Sequence, residues 1–165
     1  MNQYLVVAAD AVRARFFHLQ GADEPALESG PNLVEDDVLL NPEQAMSDRD
    51  VFSENKSGLN RTMGSSPHGY DDHRDKHADE NARKFARLIA KEIVTRAAKR
   101  SMRHIVLSAD KRMLGMLRPQ LDAGRQAQWE IRECAADVSK LAPDALHHHL
   151  AGKKLLPPRR RPGPA

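Results

Sequence analysis

The sequence predicts an α/β domain with a mixed five-stranded sheet and the element order βββαβαβα, its helices packed on the sheet. Three observations carry this. The first forty residues hold three short apolar or alternating runs separated by turn residues, the pattern of strands. Ala78, Ala82, Phe85, Ile89, Ile93 and Ala97 then recur at spacings of three and four, the period of an amphipathic helix. Beyond them, two more strand-like runs alternate with helical segments, as in a chain that returns by crossovers to one sheet.

Tyr4 to Ala9 is continuously apolar and rich in β-branched residues, which suits a central strand buried on both faces. After Asp10 and Ala11, VRARFFHL sets Val12, Ala14 and Phe16 against Arg13, Arg15 and Phe17, a second strand with one polar face. So short a connection implies an antiparallel hairpin. GADEPALESGPN carries turn residues, and Leu33 to Leu40 follows as a third strand, near an edge because Glu35, Asp36 and Asp37 lie inside it.

Asn41 and Pro42 read as the cap and first position of a short helical turn. No apolar periodicity survives from Ser47 to about Asp75, and the segment 48–75 is expected to be a long flexible loop. ADENARKFARLIAKEIVTRAAKR restores order as a helix of about six turns. HIVLSAD supplies a fourth strand, Ile105 to Ser108, and Asp110 is placed to cap the helix KRMLGMLRPQL, with Met113, Leu114, Leu117 and Leu121 on one face. Pro119 kinks that helix or ends its regular part. QWEIREC alternates as a fifth strand, and DVSKL with PDALHHHLA forms a short helical pair. Three antiparallel strands followed by αβαβα is the arrangement of the ribonuclease H-like fold, closed by the right-handed crossover rule.

At 165 residues the chain is expected to make one domain, residues 1–151, with residues 152–165 as a disordered basic tail. Formal net charge is +3, yet the tail holds five of the 26 basic residues and no acid, leaving 21 against 23 and a body charge of −2. A uniformly basic surface is thereby excluded, although the tail can touch phosphate. The single Cys134 fits a reducing compartment, and MNQYLVVAAD reads as neither leader nor membrane span, so a cytoplasmic protein without membrane contact is expected.

Two clusters have residue types that bear chemistry. Asp10 after the first strand and Asp110 after the fourth stand where ribonuclease H-like nucleases hold paired cations, with Glu80 or Asp137 as conceivable third acids; their plainer roles are a hairpin contact with Arg13 or Arg15 and a helix cap. His68, Asp71, Asp72, His73 and His77 include an i, i+4 histidine pair, but a polar segment entering a helix, its acids near the positive terminus, accounts for the same residues. His147 to His149 are expected on an exposed helix face, and Cys134 in a core or edge position. The sequence has no Walker loop, dinucleotide fingerprint, G-x-S-x-G elbow or Cys-x-x-Cys pair. Neither a catalytic residue nor a metal or other cofactor is expected.

VVAADAVRARFFHL, KFARLIAKEI, HIVLSADKRMLGMLRPQL and DVSKLAPDALHHHL, in this order, resemble the bacterial host-attachment protein family over about residues 4–150. The matching positions include Asp10, Arg13 and Arg15 near the start, and Leu114, Gly115 and Arg118 in an L-G-x-L-R segment. Where that family often has prolines after its fourth strand, this chain has Ala109, Asp110 and Lys111. The resemblance implies a role linked to bacterial attachment to host cells. It also implies a fold of the translational-machinery-component type, similar to the middle domain of archaeo-eukaryotic peptide release factors.

In those release factors a loop before the long helix carries Gly-Gly-Gln. Residues 58–77 stand at the comparable place, but the nearest equivalents are Gly64-Ser65-Ser66 and His68-Gly69, so release chemistry does not carry over. A ribosome, an RNA or a protein partner is expected to contact the 56–76 segment through Lys56, Arg61, Gly64, Ser65, Ser66, His68, Gly69, Arg74 and Lys76. The basic residues Lys153, Lys154 and Arg159 to Arg161 would add phosphate contacts. An adhesion-related surface or regulatory role and a metal-dependent phosphodiesterase are the alternatives.

Overall fold

The computed structural model describes residues 3–44 and 68–163, the side chains of 68–73 excepted. Its elements are β1 (Tyr4–Ala9), β2 (Arg13–Gln20), β3 (Asn32–Leu40), α1 (His68–Lys99), β4 (His104–Ala109), α2 (Lys111–Gly124), β5 (Glu130–Ala135) and α3 (Pro143–Gly152). The five strands form one sheet in the order β3-β2-β1-β4-β5. β1 pairs antiparallel with β2 and parallel with β4; β2 and β3 are antiparallel, and β4 and β5 parallel. The α/β class and mixed sheet are those expected from the runs of apolar residues, and β3, with its three acids, is an edge.

Alternation along β1 builds two cores. Leu5, Val7 and Ala9 face one side with Phe16, where Phe85, Ile89 and Ile93 of α1 and Met113, Leu114, Leu117 and Leu121 of α2 cover them. Val6 and Ala8 face the other with Phe17, under Leu146 and Leu150 of α3 and Leu156 beyond it. β2 therefore has no solvated face: Phe16 and Phe17 are both fully buried, and the Arg15 side chain is only 11% exposed. The sequence predicts a polar face there, and the arginine is instead roofed by the chain after β5.

Three other boundaries differ from the sequence reading. α1 opens at His68, so residues 68–75 are helical rather than loop. Asp71, Asp72 and Asp75 suit the positive end of a helix, but supply no apolar period by which to see one. DVSKL is a turn, not a helix: the Asp137 carboxylate accepts from the Ser139 amide (3.3 Å) and hydroxyl (2.7 Å), a local bonding that competes with helix.

The third difference is the C-terminal segment, expected to be disordered from residue 152. At the end of α3, Lys154 adopts φ 60°, with bonds from Lys154 N to Ala151 O and from Leu155 N to Leu150 O. This closure returns Leu155 and Leu156 to the second core. His147 is buried rather than exposed, its Nε2 lying 2.8 Å from Pro157 O. Arg160 and Gly30 exchange backbone hydrogen bonds of 2.8 and 3.0 Å. An apolar Leu-Leu pair inside a charge-rich stretch acts with these hydrogen bonds to hold it down.

Candidate functional site

β1, β4 and β5 run parallel, and the connections leaving β1 and β4 diverge to opposite sides, the place where open α/β sheets bind ligands. Asp10, Asp110 and the 136–141 turn follow these three strands. Asp10 Oδ1 accepts from the amides of Val12 (2.7 Å) and Arg13 (2.8 Å), tying the hairpin. Its Oδ2 accepts from Ser139 Oγ at 2.7 Å. Asp110 caps α2 by accepting from Met113 N at 2.7 Å. Both acids therefore fill the local roles expected of them, with Ser139 in place of Arg13 or Arg15 as the side-chain partner of Asp10.

Arg15 braces the same end. Its guanidinium forks onto Glu35 (2.9 and 2.7 Å) and donates to the carbonyls of Ser139 (2.9 Å) and Leu141 (2.6 Å), joining β2, β3 and the turn after β5. The bond to Arg15 holds the Glu35 carboxyl below the usual range despite burial. Burial pushes Asp10 up, but the Ser139 hydroxyl, the Arg13 and Val12 amides and the Arg13 charge outweigh it and leave that carboxyl depressed.

The Ser139 hydroxyl has one hydrogen and lies 2.7 Å from both Asp10 Oδ2 and Asp137 Oδ1, so it serves one carboxylate at a time. A serine against a carboxylate has the look of an activated nucleophile, yet Ser139 is fully buried. The end of the sheet is a brace. No group of three or more His, Cys, Asp or Glu side chains is gathered as a cation site among the described residues.

Of the residues assigned to partner contact, Lys56, Arg61, Gly64, Ser65 and Ser66 lie outside the described residues and the side chain of His68 is not described; nor are those of Asp71, Asp72 and His73 in the histidine and aspartate cluster. His68 and Gly69 open α1, and Arg74 and Lys76 are exposed farther along it. Leu114 is core, while Arg118 forks onto Glu133 (2.6 to 3.0 Å) and fastens α2 to β5. Cys134 is buried on edge strand β5, its Sγ 3.9 Å from His149 Nε2.

Gly115 leads to a feature that was not singled out in the sequence. It lines a groove of about 310 Å³ between α1 and α2, with Met116, Pro119, Gln120, Arg83 and Arg87. The two arginines are one turn apart on α1 and share a face. Neither makes an ion pair among the described residues. Arg112, by contrast, pairs with Asp79, Lys84 with Glu80, and Arg96 with Glu92 and Asp37. Residues 81–91 hold Arg83, Lys84, Arg87 and Lys91 and no acid, and this run was the sequence signal for the groove.

Among the described residues no helix is long and apolar enough to cross a membrane. No curated protein matches the chain. A family model described as "Protein required for attachment to host cells" matches residues 5–150, nearly all of the domain and short of the C-terminal segment. The chain belongs to this family of proteins required for attachment to host cells.

Proposed function

We propose that the protein is a non-catalytic, cytoplasmic binding member of its family that holds RNA, free or within the ribosome, against the α1/α2 face and the 56–76 segment. The observation that supports this most is the groove in which Arg83 and Arg87 stand without ion-pair partners among the described residues. Unneutralised arginines spaced along one helix face suit a phosphate backbone, which they attract without reading sequence. The mixed five-stranded sheet and the βββαβαβα succession are compatible with the ribonuclease H-like fold of the translational-machinery-component type that the family resemblance implies. That favours a partner within the translation apparatus over an unrelated protein. Peptide-release chemistry is not part of the proposal, because Gly-Gly-Gln is missing. Nor is a phosphodiesterase, because Asp10 and Asp110 spend their carboxylates on backbone amides.

Sedimentation of native lysates tests this reading. The protein should travel with ribosomal or other RNA-bound fractions at low salt and leave them at high salt; absence from all of them at low salt rejects it. The family description favours a second reading, a surface or regulatory part in attachment. Recovery of the protein from the cell surface in fractionation would support the surface form, and recovery from cytosol alone would leave only the regulatory one.

A further inference from the structure

On the sheet face opposite α1 and α2 lies a larger groove, about 710 Å³, within the range of small-molecule sites. Tyr4 and Leu19 come from the sheet, Ala22 and Pro31 from the β2–β3 connection, and Pro157 and Pro158 from the C-terminal segment. Its lining is mostly apolar, with Arg160, Arg161 and Glu28 as the charged groups. Both arginine side chains are exposed and neither makes an ion pair among the described residues, and the same holds for Glu28. Two cations against one anion leave the rim with a net positive charge.

We propose that this groove binds a free small-molecule carboxylate with an apolar body, the body lying against Tyr4, Leu19 and the prolines and the head held by Arg160 and Arg161. A guanidinium matches a carboxylate with two parallel hydrogen bonds, and guanidinium groups lining an apolar trough suit an amphipathic anion. Glu28 selects against a second negative charge on the same ligand. The wall is anchored without the arginine side chains: Leu156 is buried, His147 meets the Pro157 carbonyl, and Arg160 bridges to Gly30 through its backbone. This C-terminal wall lies outside the span matched by the family model, while Leu19, Ala22, Glu28 and Pro31 lie within it.

Calorimetric titration of the full chain with decanoate, decanol and decyltrimethylammonium tests the assignment. Decanoate should bind, at least about tenfold more tightly than the other two. Arg160→Ala/Arg161→Ala should lose that preference by about the same factor while unfolding at the same urea concentration as the wild type. Ala22→Trp, which fills the trough, should abolish binding. Should Ala22→Trp fail to fold, the arginine variant decides alone. Decanoate and decanol binding equally to wild type and arginine variant would reduce the groove to an apolar surface and overturn the proposal. So would no heat at about 1 mM decanoate. Binding to vesicles of an anionic phospholipid without binding to decanoate would assign the arginines to a membrane surface, and equally overturn it.

Discussion

Arg15 and Asp10 show how much of a motif can be structural. The A-D-x-x-R-A-R run at residues 9–15 supplies the carboxylate that closes the hairpin and the guanidinium that links three separated segments. Arg15→Ala leaves Glu35 and two carbonyls unpaired in a mostly buried place, and should lower stability by about 3 kcal/mol. Arg15→Lys should recover only part of this, because a lysine cannot fork. Urea unfolding of the two variants measures both. For Asp10 the sign is set by a depressed carboxyl: its stabilisation is present above about pH 4 and is lost as pH falls through the lower folded value. Asp10→Asn should therefore be less stable than wild type at pH 7, with a gap that narrows towards pH 3. The Asp10 turn was legible in sequence because aspartate closes short turns by itself. Its partner Ser139 was not, since the two are 129 residues apart and a lone serine carries no signal.

Among the elements, legibility follows hydrophobic periodicity. Strands β1 and β4 were readable as continuous apolar runs, β2 and β5 by alternation, and the apolar part of α1 by spacings of three and four. The first turns of α1, from His68, were hidden by their polarity. DVSKL has a helical-looking spacing, and the Asp137 side chain claims its backbone instead. In the C-terminal segment the count of Lys and Arg masked a buried Leu156. Leu156→Ala should cost about 2 to 3 kcal/mol, read from the urea midpoint, where a disordered tail would show no change.

For the whole molecule, the distribution of charge says more than its sum. The net +3 divides between a near-neutral body and a basic C-terminal segment, and within the body the acids of β3 neutralise Arg15, Arg96 and Arg100. Among the described residues, Arg83 and Arg87 in the middle of α1 are left without an acid partner beside α2. Composition alone could not find that face, because it depends on which acids the fold brings to which bases. The most direct measurement is the salt dependence of binding of the purified protein to an unstructured RNA oligonucleotide. Wild type should bind with an affinity that falls linearly in log–log form as salt rises. Arg83→Ala/Arg87→Ala should bind more weakly at low salt and lower the slope by about 1.4, the value for two lost phosphate contacts on a single strand. Equal affinity and slope for the two proteins, or no RNA binding by the wild type at low salt, would contradict the account.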